Sequence, residues 1–396
     1  MKIVHVCISA PWSEKYAYQE NLLPHYHRLI GYDVTIIAPI FSKIGDYGGN
    51  REPAGESHLS DGTKVIRLKP QIDNRRFLSH VPSVKGLKKT IIAEHPDLLF
   101  LHDVCCYNYR CIPSIKKQFH KMKVVVDNHC DYVNSLHTPV TRFLHMVLFR
   151  YGLVTKLIPY VEYFYGVTPS RCKFLHEVYG IPENKIKLLV MGADDEKMMI
   201  EKRLQLREEV RERHGIGAND FLIVTGGKID RLKNIHILAH AVNALHKDNV
   251  KLLVFGKINE DMQPLFDAEK SQNVITIGWV NSDKVYELFY AADLIVFPGL
   301  HSVLWEQAVA SKTPCAFSKM DGFEHVNVNS NCILMTAKDA EYYENMLREL
   351  LENKEKYNTL KANSSSEAAE MFYYSKIACQ VLNDAGLQTS IYGERK

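Results

Sequence analysis

The sequence predicts an α/β protein of two Rossmann-like domains, each built on a doubly wound parallel sheet. First, 396 residues exceed the size of one ordinary core, so two domains of about 200 residues each are expected. Second, short apolar runs alternate with helical patterns along the chain, as in βαβ units. Third, polar loops follow several predicted strands, and such sheets bind ligands beyond the carboxyl ends of their strands.

The first alternating series occupies the N-terminal half. Strands are predicted at 2–9, 33–38, 64–68, 98–101, 123–126, 164–167 and 186–190. Helices are predicted at 19–29, 84–94, 112–120, 141–161 and from Ser170 to about Gly180. The segment from Gly45 to Asp61 is rich in Gly, Ser, Glu and Asp, which predicts a loop.

A strongly charged helix at 201–213 marks a change in composition, and it predicts a domain boundary between Asp194 and Asp220. A second alternating series follows. Its strands are predicted at 221–225, 250–255, 274–277, 294–297 and from Cys315. Its helices are predicted at 235–246, 261–270, 285–291, from Ser302, and at 341–353, 355–363 and 372–383.

The composition indicates a globular protein, because 46% of residues are hydrophobic and 24% are charged. A net charge of +3 gives no support for a nucleic-acid partner. Nine cysteines at irregular spacing give no disulfide framework, and the group Cys105, Cys106 and Cys111 lacks zinc-ribbon spacing. We therefore expect buried thiols in a reducing cytosol and no metal site. The first residues carry too short an apolar run for a signal peptide, so a cytoplasmic location is expected.

The stretch from Ala291 to Phe317 is the most informative part of the sequence. An apolar run, Leu294 to Phe297, ends at Pro298-Gly299, which is typical of a buried parallel strand entering a loop. Ser302 can cap the next helix, and Glu306 lies in its first turns. A strand-to-helix loop of this kind binds phosphate, and Glu306 could reach a ribose diol, so the pattern predicts a nucleotide site.

A second loop in the same half has complementary chemistry. Gly226-Gly227-Lys228 follows a predicted strand, and Lys233 precedes the next helix. Glycines allow the backbone to approach a ligand, and lysines can neutralise a diphosphate. The spacing is not that of a Walker loop. Lysines in such loops are often only solvated, but two such loops in one domain favour a diphosphate site.

These motifs resemble the GT-B glycosyltransferases, specifically the retaining family 4. GGKIDRLKN is similar to the family's G-R-L-x-x-K-G element, with Lys228 in place of Arg and Asn234 in place of Gly. SVLWEQAVASKTPCAF resembles G-L-V-x-L-E-A-M-A-x-G-x-P-V. KIKLLVMGAD is similar to the element before the family's hinge, and FYYSKIACQVL resembles a C-terminal helix that crosses back onto the first domain.

The resemblance implies a domain organisation and an activity. Residues 1–195 would form an acceptor-side domain and 196–371 a domain that binds the nucleotide sugar, facing each other across a cleft. Residues 372–396 would pack back on the first domain. The implied reaction moves a sugar from a UDP- or GDP-linked donor to an acceptor hydroxyl, with retention. The sequence has no carboxylate cluster with metal spacing, so no divalent ion and no cofactor are expected.

The resemblance also implies residue roles. Glu306 would bind the ribose, and His129 and His102, which match the T-x-H-D and V-x-x-H elements, would be catalytic, although a lone His at a strand end is more often structural. The residues implied to hold the diphosphate are Gly226, Gly227, Lys228, Lys233, Ser302 and Val303. Gly278, Trp279 and Val280 would lie near the base.

The sequence departs from the family pattern in two loops. The family commonly has E-x7-E, but Pro298 stands eight residues before Glu306, and His301 stands where Gly is expected. We hypothesise that His301 takes over part of the lost contact with the sugar. The first strand-to-helix loop lacks the family's paired Gly. It carries the acceptor-binding candidates Glu14, Tyr16, Tyr18 and Gln19. The same residues are equally consistent with a polar surface loop that has no binding role.

The predicted helix at 141–161 is apolar and carries Arg142, Arg150 and Lys156. This pattern suits either a peripheral contact with an anionic inner membrane surface, near a lipid-linked or glycan acceptor, or a buried helix with solvated ends. The leading hypothesis is a glycosyltransferase of cell-surface polysaccharide or glycolipid biosynthesis. The alternatives are a nucleotide-sugar epimerase on the same fold and a non-catalytic nucleotide- or glycan-binding protein. The oligomeric state stays open.

Overall fold

The computed structural model describes residues 1–42, 50–72 and 82–389, which form two compact domains. The first domain comprises Met1–Val190 together with Tyr374–Lys396, and the second comprises Met191–Tyr373. Each domain is an α/β unit on one largely parallel sheet, as the sequence predicts.

The sheet of the first domain has eight strands in the order β3-β4-β2-β1-β5-β6-β7-β8. Their bounds are β1 Lys2–Val6, β2 Asp33–Pro39, β3 Gly55–His58, β4 Lys64–Leu68, β5 Leu98–Leu101, β6 Lys123–Asn128, β7 Tyr163–Gly166 and β8 Ile186–Leu188. All neighbours pair in parallel except β3, which is antiparallel to β4. The prediction of a loop over 45–61 is wrong at β3. All four residues of that edge strand are exposed, so it has no apolar alternation to reveal it.

Helices cover both faces of this sheet. They are α1 Gln19–Leu29, α2 Leu87–Glu94, α3 Ile112–Gln118, α4 Tyr132–Ser135, α5 Pro139–Phe143, α6 Thr155–Leu157 and α7 Pro169–Glu177. Leu144–Val154, between α5 and α6, is a π-helical segment. The predicted helix at 141–161 is therefore present, but its middle part is a π-helix, a form that recurs at functional sites.

The second domain has a six-stranded parallel sheet in the order β11-β10-β9-β12-β13-β14. Its strands are β9 Phe221–Gly226, β10 Val250–Phe255, β11 Val274–Gly278, β12 Leu294–Phe297, β13 Cys315–Ser318 and β14 Cys332–Met335. Its helices are α8 Arg203–Arg213, α9 Ile235–Ala244, α10 Gln263–Ala268, α11 Ser282–Ala291, α12 Leu304–Ala310, α13 Ala340–Glu352 and α14 Lys354–Ser364.

The charged helix α8 is anchored at the amino end of β12. Asp293, just before that strand, accepts hydrogen bonds from Arg207 Nη2 (2.6 Å), Arg211 Nη1 (3.2 Å) and the Leu222 amide (2.8 Å). Arg211 is buried in this contact. The arginines of α8 therefore pack at the amino end of β12, and the predicted nucleotide loops lie at the carboxyl ends of the strands.

The last helix, α15 Tyr374–Asp384, returns to the first domain and packs on α1, which confirms the predicted crossing. The Tyr374 ring stacks on Tyr26 at 6.1 Å. Asp384 accepts hydrogen bonds from Lys187 Nζ (2.5 Å) and Tyr165 Oη (3.0 Å). Among the described residues, none of the helices combines the length and the apolar character that a membrane span requires.

Candidate active site

In the second domain, the carboxyl ends of β11, β10, β9 and β12 lie side by side and form a glycine-lined edge. A Cβ atom on Gly226 would lie 2.3 Å from the Phe255 carbonyl oxygen, so no side chain fits there. The Gly227 amide donates to the same carbonyl at 3.0 Å. The backbone of β9 can therefore leave the sheet close to β10 and offer its own polar groups to a ligand.

The two loops predicted to bind the nucleotide pack against each other at this edge. A Cβ atom on Gly299 would lie 2.2 Å from the Leu232 carbonyl oxygen, and the Leu300 amide donates to that oxygen at 3.1 Å. Asn234 has a left-handed backbone (φ 54°), and its Nδ2 donates to the Pro298 carbonyl at 3.1 Å. Asn tolerates this conformation, which explains how it replaces the Gly expected from the resemblance.

The two lysines of the first loop occupy different environments. Lys233 Nζ donates to the carbonyls of Leu300 (2.6 Å) and His301 (3.4 Å), and burial lowers its pKa. The Lys228 side chain is 73% exposed, with Nζ 3.8 Å from Asp230 Oδ2. Lys228 is thus an accessible cation, whereas Lys233 ties the two loops together.

Glu306 lies in α12 and is fully buried. Its Oε1 accepts hydrogen bonds from His301 Nε2 (2.7 Å) and His325 Nε2 (2.9 Å). Burial alone would raise the pKa of Glu306, but these two imidazoles outweigh it and lower the pKa to about 2. Because a carboxylate only accepts, both Nε2 atoms must carry the proton.

The other oxygen of Glu306, Oε2, is buried and has no hydrogen-bond partner among the described residues. A buried carboxylate oxygen without a donor is costly, so this atom has the capacity to accept a hydroxyl of a ligand. His325 was missed in the sequence, because it lies 19 positions from Glu306 without a motif of its own. His301 was predicted to contact the donor sugar, but its Nε2 is directed at Glu306 and its side chain is 6% exposed.

The start of α12 differs from the prediction. No side chain caps the helix, and Val303, the residue before it, has helical backbone angles. Ser302 is therefore not the side-chain cap. Its carbonyl accepts from the Trp305 amide at 2.9 Å, and the Val303 carbonyl accepts from Gln307 at 3.1 Å.

The predicted base-binding residues lie at the edge strand β11. The Gly278 carbonyl accepts from the Gly256 amide at 2.6 Å, which joins this loop to the end of β10. Trp279 follows directly and is 75% exposed, and Val280 is partly buried. An exposed indole beside a glycine-lined edge offers a flat surface on which a base can stack.

The first domain holds a buried carboxylate at the carboxyl end of β6. Asp127 Oδ2 accepts from His102 Nδ1 (2.9 Å) and Gln19 Nε2 (3.4 Å), and Oδ1 accepts from the Asp103 amide (2.7 Å). His129 Nε2 is 3.5 Å from Oδ2, close enough for an ion pair but without hydrogen-bond alignment. Burial alone would raise the pKa of Asp127, but His102 and His129 hold it far below its usual range.

His129 and His102, both predicted to be catalytic, differ in exposure. The His129 side chain is 27% exposed. Burial would lower its pKa, but the Asp127 carboxylate outweighs burial and raises the pKa to about 9. His102 is 1% exposed, so it can act on a ligand only by positioning Asp127.

A chain of buried imidazoles continues from His102. Its Nε2 is 3.0 Å from His5 Nδ1, His5 Nε2 is 3.0 Å from His27 Nδ1, and His27 Nε2 is 3.2 Å from the Ala378 carbonyl in α15. Burial lowers the pKa of His27 to about 4 and lowers that of His5 as well.

The number of protons on this imidazole chain follows from the groups at its two ends. Both ends, the Asp127 carboxylate and the Ala378 carbonyl, only accept, so four hydrogen bonds require four protons on three rings. Three neutral rings supply three, and the chain therefore holds one imidazolium when all its links are made. His5 and His27 were missed in the sequence, since one lies inside an apolar strand and the other inside a helix.

The predicted acceptor residues are divided between three places. Glu14 and Tyr16 line a surface cavity together with Arg51 and Arg67, and Tyr16 Oη donates to the Ser42 carbonyl at 3.1 Å. Tyr18 lines a smaller pocket beside His102, and its ring lies 5.2 Å from that of Tyr16. Gln19 is 3% exposed and belongs to the Asp127 group instead.

Comparison with known families agrees with this geometry. Residues 206–367, within the second domain, match the family model described as glycosyl transferases group 1. An uncharacterised glycosyltransferase of Methanocaldococcus jannaschii is 25% identical over 152 residues. That alignment covers 36% of this chain and 38% of the length of the relative.

Solved structures match the whole chain. Sucrose-phosphate synthase from Thermosynechococcus elongatus has a TM-score of 0.65 at 15% identity, over 97% of this chain and 98% of the other. HepE from Anabaena, solved in complex with UDP, has a TM-score of 0.68 at 15% identity, over 98% of this chain and 100% of the other. The fold of the chain is therefore the GT-B fold of glycosyltransferases.

Proposed function

We propose that this chain is a glycosyltransferase that moves a sugar from a UDP- or GDP-linked donor to an acceptor hydroxyl, with retention. The observation that carries the proposal is the Glu306 oxygen without a partner, at a glycine-lined edge inside residues 206–367, which match the group 1 glycosyl transferases. The relative HepE, whose fold is similar, has been solved with UDP and with UDP-glucose.

In this proposal the second domain holds the nucleotide. Glu306 Oε2 accepts the ribose hydroxyls, and the base stacks near Trp279, beside Gly278 and Val280. The diphosphate lies against the backbone of Gly226 and Gly227 and the amides of Ser302 and Val303. Lys228 and Lys233 supply positive charge where the leaving nucleoside diphosphate becomes more negative, which lowers the barrier without a divalent ion.

The first domain acts on the sugar. His129 contacts the transferred sugar, because it is the partly exposed member of the Asp127 group. His102 and Gln19 are positioning residues that fix Asp127, and Asp127 fixes His129. A phosphate oxygen of the donor takes the proton of the attacking hydroxyl, so no separate base is needed for retention.

Nucleotide binding tests the donor site. Thermal-shift measurements with UDP and GDP should show a stabilising shift for one of them, because a ligand that binds only the native state raises its stability. Glu306→Gln should reduce that shift. Asp293→Asn is the matched control, since it removes a carboxylate at the opposite end of β12 and should lower the melting temperature but keep the shift.

Product analysis tests the reaction class. Incubation with UDP- and GDP-sugars should release nucleotide only when an acceptor is present. An isomerised donor would instead show an epimerase, and binding without turnover would show a non-catalytic nucleotide-binding protein. Transfer should proceed without added Mg²⁺ or Mn²⁺ if the donor phosphates need no divalent ion.

We also propose that the acceptor is a glycan or a lipid-linked molecule, and that the first domain contacts an anionic membrane surface. An exposed apolar face on the helical segment 139–157 supports this, formed by Val140, Phe143, Met146, Val147 and Tyr151. Arg142 and Arg150 lie on the same segment, although both donate to backbone carbonyls. Exposed apolar faces with adjacent cations suit lipid surfaces.

Liposome flotation tests this contact. The chain should float with vesicles that contain anionic lipid and remain at the bottom with neutral vesicles. Phe143→Asp should abolish flotation without lowering the melting temperature, because Phe143 is 60% exposed. Equal flotation of Phe143→Asp would contradict the proposed membrane contact.

A further inference from the structure

A second cluster of chemically reactive side chains lies in the first domain, outside the Asp127 group. Cys105 and Cys130 follow β5 and β6, and His145 belongs to the π-helical segment. Their sulfur and nitrogen atoms all lie within 4.8 Å of one another, and the two cysteines are buried. We call Cys105, Cys130 and His145 the Cys2His cluster.

The separations in the Cys2His cluster fit a metal ion between the side chains. Cys105 Sγ is 3.6 Å from Cys130 Sγ and 3.8 Å from His145 Nδ1. A tetrahedral zinc ion with bonds of about 2.3 Å to sulfur and about 2.0 Å to nitrogen places its ligand atoms about 3.5 to 3.8 Å apart. A disulfide would require sulfurs about 2.05 Å apart.

The group around Glu306 provides the contrast. There the nitrogen-to-oxygen separations are 2.7 and 2.9 Å, which fit a shared proton and leave no room for an ion between the atoms. The longer separations of the Cys2His cluster, with two sulfurs and an imidazole nitrogen, match both the distances and the ligand types of zinc sites.

An acidic side chain lies beside the Cys2His cluster. The carboxylate oxygens of Asp103 lie 3.7 and 3.8 Å from Cys130 Sγ. Asp103 has a left-handed backbone (φ 66°), an uncommon conformation for a residue other than glycine, and its Oδ1 accepts from the Cys105 amide at 3.2 Å. This conformation holds the carboxylate toward the two cysteines.

A second layer of contacts is also present. Tyr179 Oη lies 2.6 Å from His145 Nδ1 and 3.2 Å from Cys105 Sγ. If a metal ion takes the nitrogen, the Tyr179 hydroxyl can still donate to the Cys105 thiolate. Such outer hydrogen bonds orient and stabilise metal ligands.

We propose that Cys105, Cys130 and His145 bind a zinc ion. The ion joins the loops after β5 and β6 to the π-helical segment. Those two loops also carry His102 and His129, so the zinc ion fixes the frame in which the proposed catalytic residues lie. The three side chains supply three of the four ligands of a tetrahedral zinc ion, and the Asp103 carboxylate or water would complete the set.

Metal analysis of the purified full chain tests the proposal. We expect one zinc per chain, and the replacements Cys105→Ser, Cys130→Ser and His145→Ala should each remove it. Cys106→Ser is the matched control, because Cys106 is buried one position away but its sulfur contacts the Pro82 carbonyl. That variant should keep one zinc per chain. A zinc content that is equally high in the cluster variants and the control would overturn the proposal.

A second measurement does not depend on the folding of the variants. The wild-type chain, stripped of metal, should bind one Co²⁺ with the intense visible bands of a tetrahedral site and with thiolate-to-metal charge transfer. Bands of a six-coordinate ion without charge transfer would overturn the proposal. Peptide mapping that finds a Cys105–Cys130 disulfide in the chain as isolated would overturn it as well.

Discussion

Each domain contains one buried carboxylate that lies between two imidazoles. Asp127 lies between His102 and His129, and Glu306 lies between His301 and His325. Both are at the carboxyl edge of a parallel sheet and both are fully buried. They differ in what remains unpaired. Both oxygens of Asp127 accept hydrogen bonds, whereas Oε2 of Glu306 accepts none among the described residues.

This difference indicates that Asp127 positions other residues, whereas Glu306 can bind a ligand. Asp127 uses three of its four acceptor sites on Gln19, His102 and the Asp103 amide, so it mainly holds His129 and the loops around it. Glu306 has the same burial and the same type of neighbours, but it retains acceptor capacity that a ribose hydroxyl can use. The number of unused lone pairs, rather than burial or charge, distinguishes the two groups.

The largest expected effect follows from replacing Asp127. Asp127→Asn places an amide NH₂ group where both carboxylate oxygens accept hydrogen bonds, so it breaks a buried contact, which typically costs about 3 to 5 kcal/mol. Calorimetry should show a much larger fall in melting temperature than for Glu306→Gln, where Oε1 can still accept from both imidazoles. Equal falls in melting temperature for the two variants would contradict the inference that Asp127 mainly positions other residues.

The imidazole chain predicts a smaller and more local effect. His27→Leu leaves His5 Nε2 and the Ala378 carbonyl without partners, which costs about 1 to 3 kcal/mol. Hydrogen exchange should become faster in Tyr374–Asp384, because His27 joins that helix to the Asp127 group. His25→Leu is the control, since His25 faces Asp61 instead and its replacement should leave exchange in that helix unchanged.

The neighbours of Glu306 should affect nucleotide affinity. His301→Ala removes one of two hydrogen bonds to Oε1, so titration calorimetry should show roughly 5- to 10-fold weaker nucleotide binding. His325→Ala should have a similar effect. If His301→Ala reduces turnover while nucleotide affinity is unchanged, His301 contacts the sugar, as the sequence suggested.

The smallest expected effect concerns Glu94, a carboxylate that lies beside two lysines. Glu94 accepts from Lys2 Nζ (2.6 Å), Lys64 Nζ (2.7 Å) and Thr35 Oγ1 (2.9 Å). Burial alone would raise its pKa, but these donors lower it to about 2.

Because the pKa of Glu94 is lower in the folded state, its stabilisation is complete above the unfolded pKa, near 4.5, and is lost as the pH falls toward 2. The difference in melting temperature between the wild type and Glu94→Gln should therefore be constant from pH 7 to 5 and shrink by pH 3. A difference that stays constant down to pH 3 would show that Glu94 titrates normally.

The order of strands and helices was predictable because its signal is local. Buried strands such as Leu98–Leu101 and Leu294–Phe297 are continuous apolar runs, and the loops after them carry the polar residues. The loops proposed to bind the donor could be located for the same reason, since Gly226, Lys233 and Glu306 lie within short motifs. The exposed strand Gly55–His58 escaped prediction because it buries no apolar face.

Contacts between distant residues were not predictable. His325 reaches Glu306, His5 and His27 extend the group around Asp127, and Cys105 meets Cys130 rather than Cys106 or Cys111. Each contact depends on which strands are neighbours in the sheet, and the sequence alone does not show that order. The change from α-helix to π-helix after Phe143, in the segment that carries His145, also has no sequence signal.

The central claim is that Glu306 Oε2 accepts a ribose hydroxyl. The most direct test is titration calorimetry of the wild type and Glu306→Gln with the preferred nucleoside diphosphate and with its 2′-deoxy form. The wild type should bind the ribonucleotide at least about tenfold more tightly than the deoxy form, a hydrogen bond to a charged group being worth about 1.5 to 3 kcal/mol. Glu306→Gln should lose most of that preference. A wild type that binds both forms equally, or a variant that keeps the full preference, would contradict the claim.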